Sequence, residues 1–281
     1  MAVRWGTTSP PTLEAYGLAF GAALLVALAI TAVARRSGGL DTSGAIAAAL
    51  AGTAAILAGR AWGGFLIVWF VVASASSRPG RVRKEARTAG VVEKGAQRDA
   101  GQVVANGGVY TLAAVASMLG GDPAADAALW GAAALTAAGA DTLATEIGTW
   151  IGGPPRSIRT WQRMPTGSSG AISGAGTAAM IGTAALLAAL AVAFGLVPTR
   201  HWWIVAVAGV FGAVVDTLAG ALVQQRRWCA TCACFTEQRR HRCGTDTRHW
   251  GGWRWLGNDE VNLLCTASAG TLAWLLGRLA T

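Results

Sequence analysis

Runs of apolar residues alternate with short polar and basic segments along this whole chain. Crossing the roughly 30 Å hydrocarbon core of a bilayer takes about 17–25 helical residues. Eight runs approach or meet that length: residues 12–34, 40–58, 61–77, 102–120, 124–148, 170–196, 201–223 and 259–280. The pattern predicts an all-α fold, a polytopic transmembrane helical bundle of about eight spans. Residues 1–281 would form a single integral membrane domain. Arg35 and Arg36 follow the first run while a single Arg precedes it, the reverse of a cleaved signal peptide, so that run reads as a retained helix.

Composition supports this reading. The chain is 53% hydrophobic and 13% charged, against roughly a quarter charged in soluble domains. Trp supplies 13 of its aromatic rings, and Trp favours membrane interfaces. The segments 35–39, 78–101, 149–169 and 224–258 hold 19 of the 23 Lys and Arg residues. Only Arg4, Arg60, Arg200 and Arg278 lie on the other side. The positive-inside rule then predicts a multi-pass protein of the cytoplasmic (inner) membrane, with both termini outside and the large loops cytoplasmic. Three loops have distinct characters: a basic loop at 78–101, a Gly/Ser/Pro loop at 149–169 and a Cys/His/Trp loop at 224–258. The net charge of +9 is accounted for by this topology, so the bilayer is the expected partner and nucleic acid is not. No oligomeric state is read from the chain.

Stretches rich in Ala, Gly, Ser and Thr, such as 45–59 and 170–182, let helix backbones approach closely where lipid supplies no hydrophobic drive. Asp141-Thr142-Leu143-Ala144 and Asp216-Thr217-Leu218-Ala219 repeat one tetrapeptide in two spans of the same direction. Asp141, Glu146 and Asp216 fall inside apolar runs. An ionised group near the bilayer centre costs about 2.5–3.5 kcal/mol, so all three should face the bundle interior and form a metal or proton site.

The cytoplasmic starts of four spans carry capping residues, as in Asp41-Thr42-Ser43-Gly44, and free N–H groups at helix starts favour anions. Gly167, Ser168, Ser169 and Gly170 belong to a Gly/Ser-rich approach suited to phosphate, with no P-loop lysine. Asp99, Gln102 and Asn106 form a polar stripe if helical, and Asn258, Asp259 and Asn262 place polar groups on neighbouring turns. Arg98 and Arg163 are candidate phosphate ligands. Acids, helix starts and basic loops on one side are the parts that phosphoryl transfer needs. In the last loop Cys229, Cys232, His241 and Cys243 have spacing suited to tetrahedral zinc, as a candidate structural Zn²⁺ site. Trp228, Trp250, Trp253 and Trp255 would anchor that loop.

Five stretches resemble one family: 97–108, 140–148, 167–177, 215–224 and 258–262. They are similar, in order, to domain-of-unknown-function family 92, which includes animal transmembrane protein 19 and the plant phytyl-phosphate kinase. The resemblance spans roughly residues 12–280, and the Cys/His loop departs from the eukaryotic members. It implies a Mg²⁺-dependent isoprenyl-phosphate kinase (a transferase), using a nucleoside triphosphate, CTP or another, on an isoprenyl monophosphate such as phytyl phosphate. Asp141, Glu146 and Asp216 would then hold Mg²⁺, and the Arg, Gly/Ser and Asn groups would bind lipid phosphate and nucleotide. An ion-coupled transporter or lipid flippase is the alternative, since membrane acids serve it equally. A non-catalytic scaffold acting through the Cys/His loop is a third.

Overall fold

The computed structural model describes residues 13–93 and 97–280; Arg4, and Lys94 of the basic loop, lie outside the described residues. Each of the eight apolar runs coincides with a helix: α1 (Leu13–Arg36), α2 (Thr42–Ala58), α3 (Arg60–Ser77), α5 (Ala100–Ser117), α6 (Asp122–Ile151), α7 (Gly174–Ala193), α8 (Trp202–Leu222) and α9 (Asn258–Leu279). A further short helix, α4 (Arg81–Thr88), lies in the basic loop. The fold is all-α, with strands confined to loops.

Length and apolarity together qualify four helices as spans among the described residues: Tyr16–Arg36, Arg60–Ser77, Gly174–Ala193 and Thr199–Leu222, the last combining α8 with the single turn before it. The others fall short for identifiable reasons. Helix α2 has 17 residues, α5 carries Gln102 and Asn106, α6 carries acids, and α9 opens on Asn258, Asp259 and Glu260. These helices are rich in small residues, so contact with other helices takes the place of contact with lipid.

Helix α6 runs through the middle, packing on α3, α5, α7, α8 and α9. Every residue from Gly131 to Ala140 is buried, all round the helix. Such enclosure requires small residues, because five neighbouring helices must approach the same axis. A Cβ on Gly131 would lie 2.8 Å from that of Ala113, and one on Gly212 of α8 would lie 2.8 Å from that of Ala137. Around this axis the larger side chains close the core. Tyr110 donates to the Trp62 carbonyl at 2.6 Å, and the two rings lie 5.0 Å apart.

The three long loops meet at one end of the bundle. In the Gly/Ser/Pro loop, β1 (Arg156–Ser157) pairs antiparallel with β2 (Ala171–Ile172), which follows the loop just before α7. In the Cys/His/Trp loop, β3 (Arg226–Cys229) is flanked by β4 (Cys234–Thr236) and β5 (Arg248–Gly251), both antiparallel. The loops are stitched together. Arg87 of α4 donates to the carbonyls of Thr149 (2.6 Å) and Gly152 (3.2 Å). Gln238 donates to the carbonyls of Ala89 (3.1 Å) and Val92 (2.9 Å), and the Glu237 amide donates to that of Val91 (2.8 Å). Together they form a cap over the helix ends that carry the polar residues.

Candidate functional site

Asp141 of α6 and Asp216 of α8 lie close enough for their charges to interact. The repeated tetrapeptide sets them there in the same way twice. Thr142 donates to the Ala138 carbonyl at 2.7 Å and Thr217 to that of Ala213 at 3.0 Å, so each Thr turns back along its own helix. Asp216 Oδ2 is buried with no hydrogen-bond partner among the described residues. Buried polar atoms are nearly always paired, so this one is open to a ligand. The Cys265 thiol of α9 is near both acids. Nothing in the sequence distinguishes Cys265 from other small residues of its helix.

Glu146 is placed differently. Five positions beyond Asp141, it turns about 140° around the helix. Ser77 donates to its Oε1 at 2.6 Å, and Lys84 of α4 donates to its Oε2. Lys84 also donates to the carbonyls of Ser76 (3.1 Å) and Ser77 (2.9 Å), so the pair seals α4 onto the ends of α3 and α6. The grouping of Glu146 with the two aspartates in the sequence thus separates, in space, into an open pair and a closed ion pair.

Arg98 is held by its backbone. Its amide donates to the Gly39 carbonyl (3.1 Å), and its own carbonyl accepts from Asp41 (3.1 Å). Gly44 leaves room for that carbonyl, since a Cβ there would collide with it. Burial pulls the Arg98 guanidinium below its ordinary pKa and the nearby Glu146 opposes the shift. Asp99 and Gln102 form a reciprocal cap on α5, at 2.9 and 3.2 Å, and Asn106 donates to the Gln102 carbonyl at 2.9 Å. Arg98, Gln102 and Asn106 share the lining of a partly open cavity of about 90 Å³. The rest of the lining is almost wholly apolar, mostly from α1, α2 and α3, with Val103 and Gly107 of α5, and it includes Thr142 of α6.

From α9, Asp259 reaches the start of α5, where Gly101 makes space: a Cβ there would lie 2.5 Å from Asp259 Oδ2. Thr266 donates to the Ala105 carbonyl at 3.1 Å, fixing the two helices. Asn262 is half-buried and Asn258 exposed. Arg163 is exposed in a bridge opposite Arg156.

The Gly/Ser segment is tightly packed. Gly170 has φ +76°, and a Cβ there would sit 2.5 Å from that of Ala221 on α8. Gly167, at φ +89°, lies against Thr88. Ser168 follows in the turn, its amide donating to the Pro165 carbonyl at 3.3 Å. Ser169 donates to Glu237 Oε1 at 2.5 Å, and Glu237 lies close enough to Asp216 to repel it. Burial pushes the Glu237 carboxyl above its usual range, opposed by the Ser169 bond. Sequence reasoning missed Glu237, since a lone acid in a charged loop carries no signal. In the same loop the ligand atoms of Cys229, Cys232, His241 and Cys243 all lie within 4.8 Å of one another.

A family profile described as "Integral membrane protein DUF92" matches residues 25–270. Protein PGR of Arabidopsis thaliana is 27% identical over 242 residues, covering 78% of this chain and 83% of that protein. An uncharacterized membrane protein of Synechocystis sp. is 29% identical over 225 residues, covering 78% of this chain and 75% of the other. No solved structure matches the chain.

Proposed function

The chain belongs to the integral membrane family DUF92, and from that premise we propose that it is a membrane-embedded prenyl-phosphate kinase, moving a phosphoryl group from a nucleoside triphosphate to an isoprenyl monophosphate. The observation that carries this reading is the cavity. An apolar cavity has one charged side chain in its lining, Arg98, and Gln102, Asn106 and Thr142 are among its few polar groups. An isoprenyl chain would bury hydrocarbon there with its phosphate at the guanidinium, and Thr142, the chain neighbour of Asp141, lines the same cavity.

Asp141 and Asp216 offer hard oxygen donors, and the unpartnered Asp216 Oδ2 is what a bound cation would engage, so the pair fits Mg²⁺. When bound, Mg²⁺ would neutralise charge on the transferring phosphates. A lipid phosphate oxygen attacks the terminal phosphorus of the nucleotide, the bond to the bridging oxygen breaks, and nucleoside diphosphate leaves. No protein group is modified. Arg98, Gln102 and Asn106 orient the attacking phosphate. Ser168, Ser169, Asn258, Asp259 and Asn262 lie around the helix ends by which nucleotide would enter, and the cap excludes water. This arrangement requires the cap to face the cytoplasm, where nucleotides are, with both termini outside an inner membrane. Arg163, exposed on its hairpin, is left with at most a peripheral part.

The test uses folded protein in detergent with Mg²⁺, geranylgeranyl or phytyl monophosphate, and CTP, ATP, GTP or UTP in separate reactions. Lipid diphosphate should be seen by mass spectrometry with at least one nucleotide and be lost in Asp141→Asn. Absence of product with every nucleotide overturns the kinase in favour of an ion-coupled transporter or lipid flippase using the same acids.

A further inference from the structure

We propose that Cys229, Cys232, His241 and Cys243 bind one zinc ion, and that this ion is the clamp of the cap. The geometry of the cluster stands independently of the kinase reading. Two turns of the 224–258 loop face each other. The first links β3 to β4 and holds Cys229 and Cys232, with Ala233 in the left-handed region at φ +50°. The second is closed by the Gly244 amide donating to the His241 carbonyl at 2.8 Å and the His241 amide donating to that of Thr245 at 2.9 Å. It holds His241 and Cys243.

A tetrahedral zinc with bonds of about 2.0–2.3 Å places its ligand atoms roughly 3.5–3.8 Å apart. Here the sulfurs of Cys229 and Cys243 lie 3.6 Å apart, and His241 Nδ1 lies 3.2 Å from the Cys243 sulfur. All four ligand atoms fall within 4.8 Å. Three thiols and an imidazole nitrogen converging from two turns match a closed structural zinc site. A disulfide explains the cluster less well, because it would use two sulfurs and leave Cys232 and His241 without a reason to converge. Cys234 stands outside the set: its sulfur lies 3.9 Å from His241 Nε2, the ring nitrogen turned away from Cys243.

The position of the cluster gives the ion its task. Thr236 ends β4 and Glu237 follows it directly, and Glu237 is the residue that bonds Ser169 and lies near Asp216. Within the 224–258 loop Cys229 and Leu256 are the buried apolar side chains, while Phe235, Trp250, Trp253 and Trp255 are exposed, so a metal clamp would supply what a hydrophobic core does in a larger domain.

Full-length protein purified in detergent without chelator is expected to carry about one zinc per chain by inductively coupled plasma mass spectrometry. Cys229→Ser and Cys243→Ser should each lower that ratio at least about tenfold, while Cys234→Ser retains it. A monodisperse wild-type protein without zinc overturns the proposal, as does iron in its place or a Cys229–Cys243 disulfide found by alkylation without reductant. Should the variants aggregate, cobalt exchange into the wild type decides the matter. Visible d–d bands and thiolate-to-cobalt charge transfer support a tetrahedral site of three thiolates and one imidazole, and an octahedral cobalt spectrum overturns it. Neither readout depends on turnover, so failure here and failure of the kinase assay are separable.

Discussion

Asp216 and Glu146 look alike in the sequence: each is a carboxylate near the end of an apolar helix. In the fold they have opposite surroundings. Glu146 is closed by Ser77 and Lys84, while Asp216 Oδ2 is buried beside Asp141 with no hydrogen-bond partner among the described residues. A satisfied carboxylate holds a structure together, and an unsatisfied one, opposite a second acid, is destabilising unless something binds it. The difference gives Glu146 a part in assembly and leaves Asp216 as the acid on which the proposed chemistry rests.

The widest separation between them should come from turnover. Asp216→Asn is expected to lower diphosphate formation by at least about 10²–10³-fold, the scale of a lost transition-state charge partner, with unchanged thermal stability in detergent. Glu146→Gln should invert that pattern. Losing one partner of a charged hydrogen bond costs about 1.5–3 kcal/mol, read as a lower unfolding temperature, with activity per folded molecule largely kept. Replacing both Lys84 and Glu146 by apolar residues should recover most of that loss, because no charge is then left alone. If Glu146→Gln abolishes turnover at normal stability, the comparison fails and Glu146 rejoins the site.

The smallest effect concerns Glu237, whose carboxyl is raised by burial. An acid with a raised folded pKa binds its proton more tightly in the folded state. Its contribution to stability is therefore fully present below the unfolded pKa and is lost as pH rises through the raised value. Glu237→Gln should flatten the decline in cap stability between acidic and neutral buffer, measured by proteolysis of the 224–258 loop. An unaltered pH profile would place the repulsion elsewhere.

How much of this was legible beforehand follows from length scale. The eight long helices show in the sequence because burial in lipid or helix leaves runs of apolar residues. Helix α4 does not, since Arg81–Thr88 is short and charged and forms by docking on α6 through Lys84 and Arg87. Strands β1 to β5 have two to four residues each, too few for any period to register. Within the site, the Asp141/Asp216 repeat and the Cys/His spacing were visible as local signals. The partners that decide their meaning, Lys84 for Glu146 and Glu237 for Asp216, lie 62 and 21 positions away, and only the fold brings them close. The Gly/Ser segment was visible as small residues, yet Gly170 is used to seat the loop on Ala221.

The stitching of the cap also bears on how the chain is made. Residues 89–92 leave the ribosome well before residues 237 and 238, which take up their carbonyls, and the intervening chain must thread four helices first. Those carbonyls wait for partners until α8 has been inserted in the correct direction. A helix inverted anywhere between would carry the late loop to the opposite face, and the cap could not close. Closure of the cap therefore serves the protein as its own inspection of correct insertion.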